Sequence, residues 1–321
     1  MKLAAFFLIP FLLGSAPPDR LTTLLDEMER LTLAGDQAAV GRLVPAVLED
    51  LAKPHMMATI AWNQVGVYFQ TQGKFLEAER AYQRGIRLCE KEAVGGLEIL
   101  LLNLAGLYLQ AGQRPAHAEV VCRRALKQAI EVYGPGSPEL ADFHYMLGAA
   151  RQQQGDRADA RRFFQQALDL ADDRSEGKYS QGLIRGHLAH LSILDKQWIQ
   201  ARDSLLQSIA LMESSGLLYP DLVMVRTYLH LARAYEGLKQ WTLASASVAR
   251  ARQITETRLS PDHPLMAEIL RACASILRKT GHGSEARDLS RRAAAIAKAQ
   301  PQDFAWQARV HIADLKQPTL R

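Results

Sequence analysis

The chain has 321 residues, 48% hydrophobic and 7% aromatic, and its many alanines and leucines favour closely packed helices over a sheet. A formal net charge of +5 is too small an excess for a tail that binds nucleic acid. Cys89, Cys122 and Cys273 lie far apart and give no disulfide framework or zinc ribbon. We expect buried thiols, with a bridge between Cys89 and Cys122 as the less favoured alternative.

The first residues have the composition of an export signal. Lys2 precedes an apolar run over 3–13, which is too short to span a bilayer comfortably, and small residues follow at 14–16. We expect a signal peptide over 1–16 and an exported protein, periplasmic or secreted, with no stable transmembrane segment after cleavage. Pro17 opposes this, because proline after the cut obstructs signal peptidase. The alternatives are an uncleaved apolar helix that docks on the rest of the protein or on a membrane, and a cytoplasmic location.

From residue 54 to 299 one pattern recurs six times. A small residue occurs at 66, 105, 148, 189, 232 and 274, and an alanine follows each one by twelve or thirteen positions. Helices cross closely where both carry small side chains, so Gly66 is expected to meet Ala78 and Gly148 to meet Ala160. Each unit is then a helix pair whose apolar face is covered by the next pair.

The ranges follow from this pattern. We predict an N-terminal capping helix pair at 17–53, six repeat pairs at about 54–93, 94–134, 137–174, 177–216, 219–259 and 262–299, and a C-terminal cap and tail at 300–321. Glycines that suit a left-handed helix end occur after the first helix of four units, at Gly73, Gly112, Gly155 and Gly281.

The pattern resembles the tetratricopeptide repeat, in which Trp-x2-Leu-Gly-x2-Tyr is followed by a central alanine. Trp62, Gly66 and Ala78 stand at those positions. The spacing near 42 residues exceeds the usual period of about 34 and is similar to that of the kinesin light chain subtype, as are the proline-containing junctions at 134–138 and 260–264. The resemblance covers about three-quarters of the chain. It implies an all-α, right-handed superhelical solenoid of antiparallel helix pairs.

No catalytic motif is present in the sequence. Residues 281–286 have the letters of a dinucleotide fingerprint, but they follow a predicted helix rather than a strand and are explained as a repeat turn. We therefore expect no enzymatic activity, no cofactor and no metal. The alternative is a metal-dependent enzyme, because His187, His190 and His230 fall on neighbouring first helices; without a fourth ligand, solvated groove histidines are favoured.

The resemblance also implies that the first helix of each pair lines a concave groove. The groove residues of the early repeats are neutral and rich in amides. Residues 226–300, in contrast, contain thirteen lysines or arginines and only six acidic residues. We expect an extended ligand whose backbone bonds the amides and whose acidic segment lies at repeats four to six. Charges that merely solvate the surface are the alternative. The candidate groove residues are Asn63, Gln64, Asn103, Tyr145, His187, His190, Arg226, His230, Arg233, Arg271 and Arg278.

The predicted function is a non-enzymatic scaffold that binds a protein or peptide. A peptide-sensing regulatory receptor, in which the ligand tightens the superhelix, is the alternative, although the sequence lacks the DNA-binding head that such receptors often carry. Nucleic acid is not an expected partner, because the basic half lacks interleaved exposed aromatic residues.

Overall fold

The structure, a computed structural model, describes residues 19–51, 57–92, 94–110, 114–172, 175–215, 221–258 and 264–298. These residues form α-helices and one short 3-10 helix (Pro138–Leu140), with no strand among them, which confirms the predicted all-α class. The helices are α1 (Arg20–Leu33), α2 (Gln37–Asp50), α3 (Ala58–Thr71), α4 (Phe75–Glu92), α5 (Leu97–Gln110), α6 (Pro115–Tyr133), α7 (Ala141–Gln153), α8 (Arg157–Leu170), α9 (Ser175–Leu194), α10 (Trp198–Ser214), α11 (Asp221–Gly237), α12 (Trp241–Arg258), α13 (Pro264–Lys279) and α14 (Gly283–Lys298). The predicted signal over 1–16, Pro17, and the tail over 300–321 lie outside the described residues.

The described helices belong to two compact units. The N-terminal unit contains α1 to α6 and residues 149–156, and the C-terminal unit contains residues 136–148 and α8 to α14. Within each unit, sequential helices pack as pairs, such as α3 with α4 and α9 with α10. Short connections between paired helices make them antiparallel neighbours.

The N-terminal unit is built around α5, whose side chains are buried in almost every direction. Leucines dominate its sequence, and the residues from Leu100 to Leu109 are all buried. A helix that is apolar all round lies inside its domain. At the start of the unit, Asp19 and Asp36 cap α1 and α2 by accepting hydrogen bonds from the backbone N–H of Thr22 and Ala39, each at 2.9 Å.

In the first and third repeat pairs the small residue of the first helix lies against an aromatic ring of the second helix. A Cβ placed on Gly66 would lie 2.4 Å from Cε1 of Tyr82, and one on Gly148 would lie 2.6 Å from Cδ1 of Phe164. The sequence pairs these glycines with Ala78 and Ala160, which are fully buried, but the nearest atoms belong to the rings four residues further on. The missing side chain therefore makes room for a ring as well as for a helix crossing.

The turn inside a helix pair has a residue in the left-handed region. Gly73, Gly155 and Gly281 have φ of +71°, +84° and +91°, as the sequence predicts, whereas Gly112 lies outside the described residues. In the fourth and fifth pairs this conformation falls on Lys196 and Lys239, both with φ of 59°. The turn geometry is therefore kept there without glycine, at a cost in the order of 1–2 kcal/mol per residue.

The three cysteines are free thiols. Cys89 and Cys122 are buried and Cys273 is partly buried, so the alternative of a bridge between Cys89 and Cys122 is wrong for this structure. Burial raises the pKa of all three thiols. They act as small apolar side chains rather than as nucleophiles.

We predict that Gly148→Leu lowers the free energy of unfolding by about 1–3 kcal/mol, because a larger side chain displaces the Phe164 ring from a packed interior. Gly283→Ala is the matched control, since a Cβ there has nothing within 4 Å. The control should change stability by less than about 0.5 kcal/mol. Urea unfolding followed by circular dichroism measures both, and equal effects would contradict the close packing of Gly148 against the Phe164 ring.

Candidate functional site

The amide side chains of the N-terminal unit bond one another. Nδ2 of Asn103 on α5 donates to Oδ1 of Asn63 on α3 at 2.6 Å, and Nε2 of Gln70 donates to Oε1 of Gln110 at 2.8 Å. The hydroxyl of Tyr82 donates to Oε1 of Gln70 at 2.8 Å. Asn103 is buried, and the amides that the sequence assigns to a ligand therefore already connect neighbouring first helices.

Gln64 differs from these amides. Its Oε1 is buried and forms no hydrogen bond within the part of the chain that the structure describes. An unpaired amide oxygen is costly to bury, so this acceptor is suited to an N–H donor from outside the unit.

A set of rings joins α7, α8 and α9 in the C-terminal unit. The hydroxyl of Tyr145 forms a hydrogen bond with Nε2 of His187 at 3.0 Å, and the two rings meet edge to face. The ring of Phe164 lies 5.1 Å from His187, centroid to centroid. His187 is therefore held from two sides. Phe164 was not among the predicted site residues, although its place in the repeat pattern would have pointed to it.

The next histidines along the site are stacked on each other. His190 on α9 and His230 on α11 have ring centroids 4.5 Å apart and planes inclined by 14°. Arg226 and Arg233 lie on the same face of α11 as His230, because spacings of four and three residues bring side chains to one side of a helix. Both arginines are exposed.

The surroundings of these rings hold them neutral. Burial, together with His190 and Arg226, lowers the pKa of His187 to about 4. Burial lowers the pKa of His230 to about 3, together with His190, His187, Arg226 and Arg233. Burial also lowers the pKa of His190, with help from Arg233 and Arg157. Near neutral pH the positive charge of this face therefore belongs to its arginines.

The arginines of the face are available to a ligand. Among the described residues, Arg226, Arg233 and Arg271 have no acidic side chain within 4.0 Å, while Arg278 on α13 donates to Oγ of Ser290 at 3.5 Å. Glu236, three residues after Arg233, accepts a hydrogen bond from Ser275 at 2.8 Å, and Glu268, three residues before Arg271, is exposed. We call Arg226, His230, Arg233 and Arg271 the basic face.

The metal alternative is not supported by the geometry. Nowhere in the described ranges do three or more histidine, cysteine or acidic side chains lie where they could hold one metal ion. His187 and His190 point to different partners: one bonds Tyr145 and the other stacks on His230. The structure brings the three predicted histidines together as packed rings and not as a ligand set.

Comparison with known proteins agrees with this architecture. The tetratricopeptide repeat family model matches residues 96–173 and 223–299. No curated protein matches the sequence. The fold is that of a tetratricopeptide-repeat-like solenoid. The repeat resemblance seen in the sequence is thus supported in both matched segments.

Several solved structures share the fold at low sequence identity. The chain aligns with the APC/C hetero-tetramer Cut9–Hcn1 at 16% identity and a TM-score of 0.63, covering 87% of this chain but 46% of that chain, so it spans about half its length. NprR in complex with its cognate peptide NprX aligns at 11% identity and a TM-score of 0.63, covering 94% and 89% of the two chains. A Rap protein complexed with competence and sporulation factor aligns at 14% identity and a TM-score of 0.62, covering 88% and 89%. Tetratricopeptide-like folds generally serve as non-enzymatic scaffolds.

None of the described helices is both long enough and apolar enough to span a bilayer.

The lowered pKa of His187 predicts a stability change with pH. The unfolded chain binds a proton near the ordinary value of 6.5 and the native ring only near 4, so stability falls as the pH drops from about 6.5 towards 4. At pH 5 this group costs at most about 2 kcal/mol. We predict that His187→Gln loses less stability than the unaltered protein between pH 7 and pH 5, as measured by urea unfolding.

His282→Gln serves as the control, because His282 is exposed in the turn before α14. The control should keep the full decline of stability between the two pH values. Parallel declines in the unaltered protein and in His187→Gln would contradict the buried neutral state of His187, which ring-nitrogen NMR can observe directly.

Proposed function

We propose that this protein is a non-enzymatic scaffold that binds an extended segment of a protein or peptide. An acidic stretch of that segment would lie on the basic face of the C-terminal unit. The observation that carries the proposal is the group of exposed arginines on the first helices α11 and α13 without acidic partners among the described residues. Planar guanidinium groups bind carboxylates through paired hydrogen bonds. Because these arginines have no acidic partners among the described residues, binding a carboxylate would break no ion pair there.

The N-terminal unit offers a different kind of contact. Asn63 and Gln64 are only partly buried. Asn63 accepts a hydrogen bond from Asn103 and keeps its own amide donors, and Oε1 of Gln64 remains an acceptor. Such groups suit the backbone of an extended segment, since backbone N–H and C=O groups need partners whatever the sequence. We therefore propose a backbone contact at this unit and a side-chain charge contact at the C-terminal unit.

A peptide-sensing regulatory receptor is the second candidate. NprR with NprX and the Rap protein with its factor have peptide or factor ligands, and both share the fold. Their identities of 11% and 14% limit that support to architecture. A partner that is a short free peptide would favour this candidate, and a folded protein would favour the scaffold.

Two further features of the sequence extend the proposal. The spacing near 42 residues supports a kinesin light chain-like subtype of the repeat. The composition of residues 1–16 supports export, which would place the partner in the periplasm or outside the cell. We expect a protein or peptide partner and not nucleic acid.

We predict that the double variant Arg233→Glu/Arg271→Glu loses capture of the acidic partner while its helicity and melting stay nearly unchanged. Both side chains are exposed, so reversal alters the charge of the face without disturbing the core. Affinity capture from a cell extract, followed by titration of the captured segment at several salt concentrations, measures the loss. Binding by the unaltered protein should weaken as salt rises, and the variant should show a flatter response.

The matched control is Arg250→Glu/Arg292→Glu, which makes the same charge change on exposed positions of the second helices α12 and α14. Partners lost in the first variant and kept in the control place binding on the basic face. Equal retention in both variants would disprove it, and equal loss would assign the effect to net charge alone.

A further inference from the structure

His230 belongs to the basic face, and His190 of α9 stacks on it. Their centroids are 4.5 Å apart, and His230 stands between Arg226 and Arg233 on one side of α11. Two imidazolium rings at this distance would repel each other and the arginines. The pair can therefore accept a proton readily only when a negative group arrives beside it.

We propose that an acidic peptide segment binds at this histidine pair and the flanking Arg226 and Arg233, and that the pair takes up a proton when the carboxylate binds. This inference rests on the proposed function and adds to it the position of one carboxylate and the regulation of its affinity by pH. Without the ligand, burial and the neighbouring cations keep both rings neutral. A bound carboxylate offsets that repulsion, because an opposite charge nearby favours the charged form of a base.

The groups that act on the pair from α8 and α9 are mixed in charge. Arg157, at the start of α8, lowers the pKa of His190. Its guanidinium pairs with Asp195 at 3.0 Å, and Arg161 of α8 pairs with the same carboxylate at 2.9 Å. The charge of Arg157 is thus partly balanced at the end of α9. His187 adds a third ring on α9, held by Tyr145 of α7.

The helices that pack on α11 from its other sides bring both paired and unpaired charges. On α10, Arg202 pairs with Asp203 at 2.7 Å, and on α12, Arg252 pairs with Glu256 at 2.7 Å. On α13, Glu268 and Arg271 are both exposed. Glu236 of α11 accepts the hydrogen bond from Ser275, and the charged groups that lower the pKa of His230 are the two other histidines with Arg226 and Arg233.

The consequence is an affinity that increases on mild acidification. A glutamate side chain stays mostly ionised down to about pH 5.5, since its ordinary pKa is about 4.3. Between about pH 7.5 and pH 5.5 the ligand therefore keeps its charge while the pair becomes easier to protonate. The attraction between the carboxylate and the histidine pair therefore increases as the pH falls from 7.5 to 5.5.

The test uses the full chain and two fluorescent octapeptides at low ionic strength. One alternates glutamate with glycine, and the other has cysteic acid in place of glutamate, whose sulfonate stays ionised throughout the interval. Fluorescence anisotropy gives the dissociation constant of each peptide at both pH values. We expect both peptides to bind about fivefold more tightly at the lower pH, a change that corresponds to partial uptake of one proton.

The variants His190→Gln and His230→Gln should each remove this increase, so that the ratio of the affinities at pH 5.5 and pH 7.5 falls to about one whatever the affinity itself, and His282→Gln should keep the increase. Isothermal titration in buffers of different ionisation enthalpy should show proton uptake in the unaltered protein and none in the two pair variants. Peptide binding that depends on Arg233 but has the same affinity at both pH values would overturn the proton uptake and leave the proposed function standing. No binding that depends on Arg233 at either pH would overturn both.

Discussion

In the helix pairs that contain Gly66 and Gly148, the close approach of the first helix to an aromatic ring of the second is the contact on which the surrounding packing depends. Gly66 leaves room for Tyr82 and Gly148 leaves room for Phe164. Packing at this point sets the separation of the two helices and hence the positions of the residues on either side of the glycine. Tyr145, three residues before Gly148, is brought by this packing to within 5.9 Å of the Phe164 ring and into contact with His187. The core contact and the candidate site are thus consecutive parts of one packed layer.

In the C-terminal unit, histidines and arginines have different roles: the histidines pack and the arginines carry the charge. Histidine is ordinarily the side chain that titrates near physiological pH. Here burial, with the neighbouring histidines and arginines, keeps the rings neutral, and the arginines supply the charge. The arrangement keeps the face positive at neutral pH with few charges close together. It also means that the properties of the histidines depend on what occupies the face.

The sequence predicts the architecture well because its signals are local. A recurring small residue, the turn glycines and the apolar spacing each describe one helix or one turn, and the all-α fold follows from them. The sequence does not predict which side chain a residue meets across a helix interface. For this reason it paired Gly66 with Ala78 rather than with Tyr82. It favoured solvated groove histidines, with a shared metal site as the alternative, whereas in the structure His190 stacks on His230 and His187 bonds Tyr145. Lys196 and Lys239 in left-handed turns could not be foreseen either, because neither residue type signals that conformation. The position of the groove residues relative to a ligand stays a prediction.

The bond between Asn63 and Asn103 has a consequence for how the N-terminal unit responds to change. It joins side chains 40 residues apart on two first helices, and one of them is buried. Removing either amide leaves the other without its partner, so the second removal costs less than the first. Energetic effects at the two positions are therefore not additive. Because the two helix pairs share this bond, removing the side chain in one pair also removes a hydrogen-bond partner from the next pair.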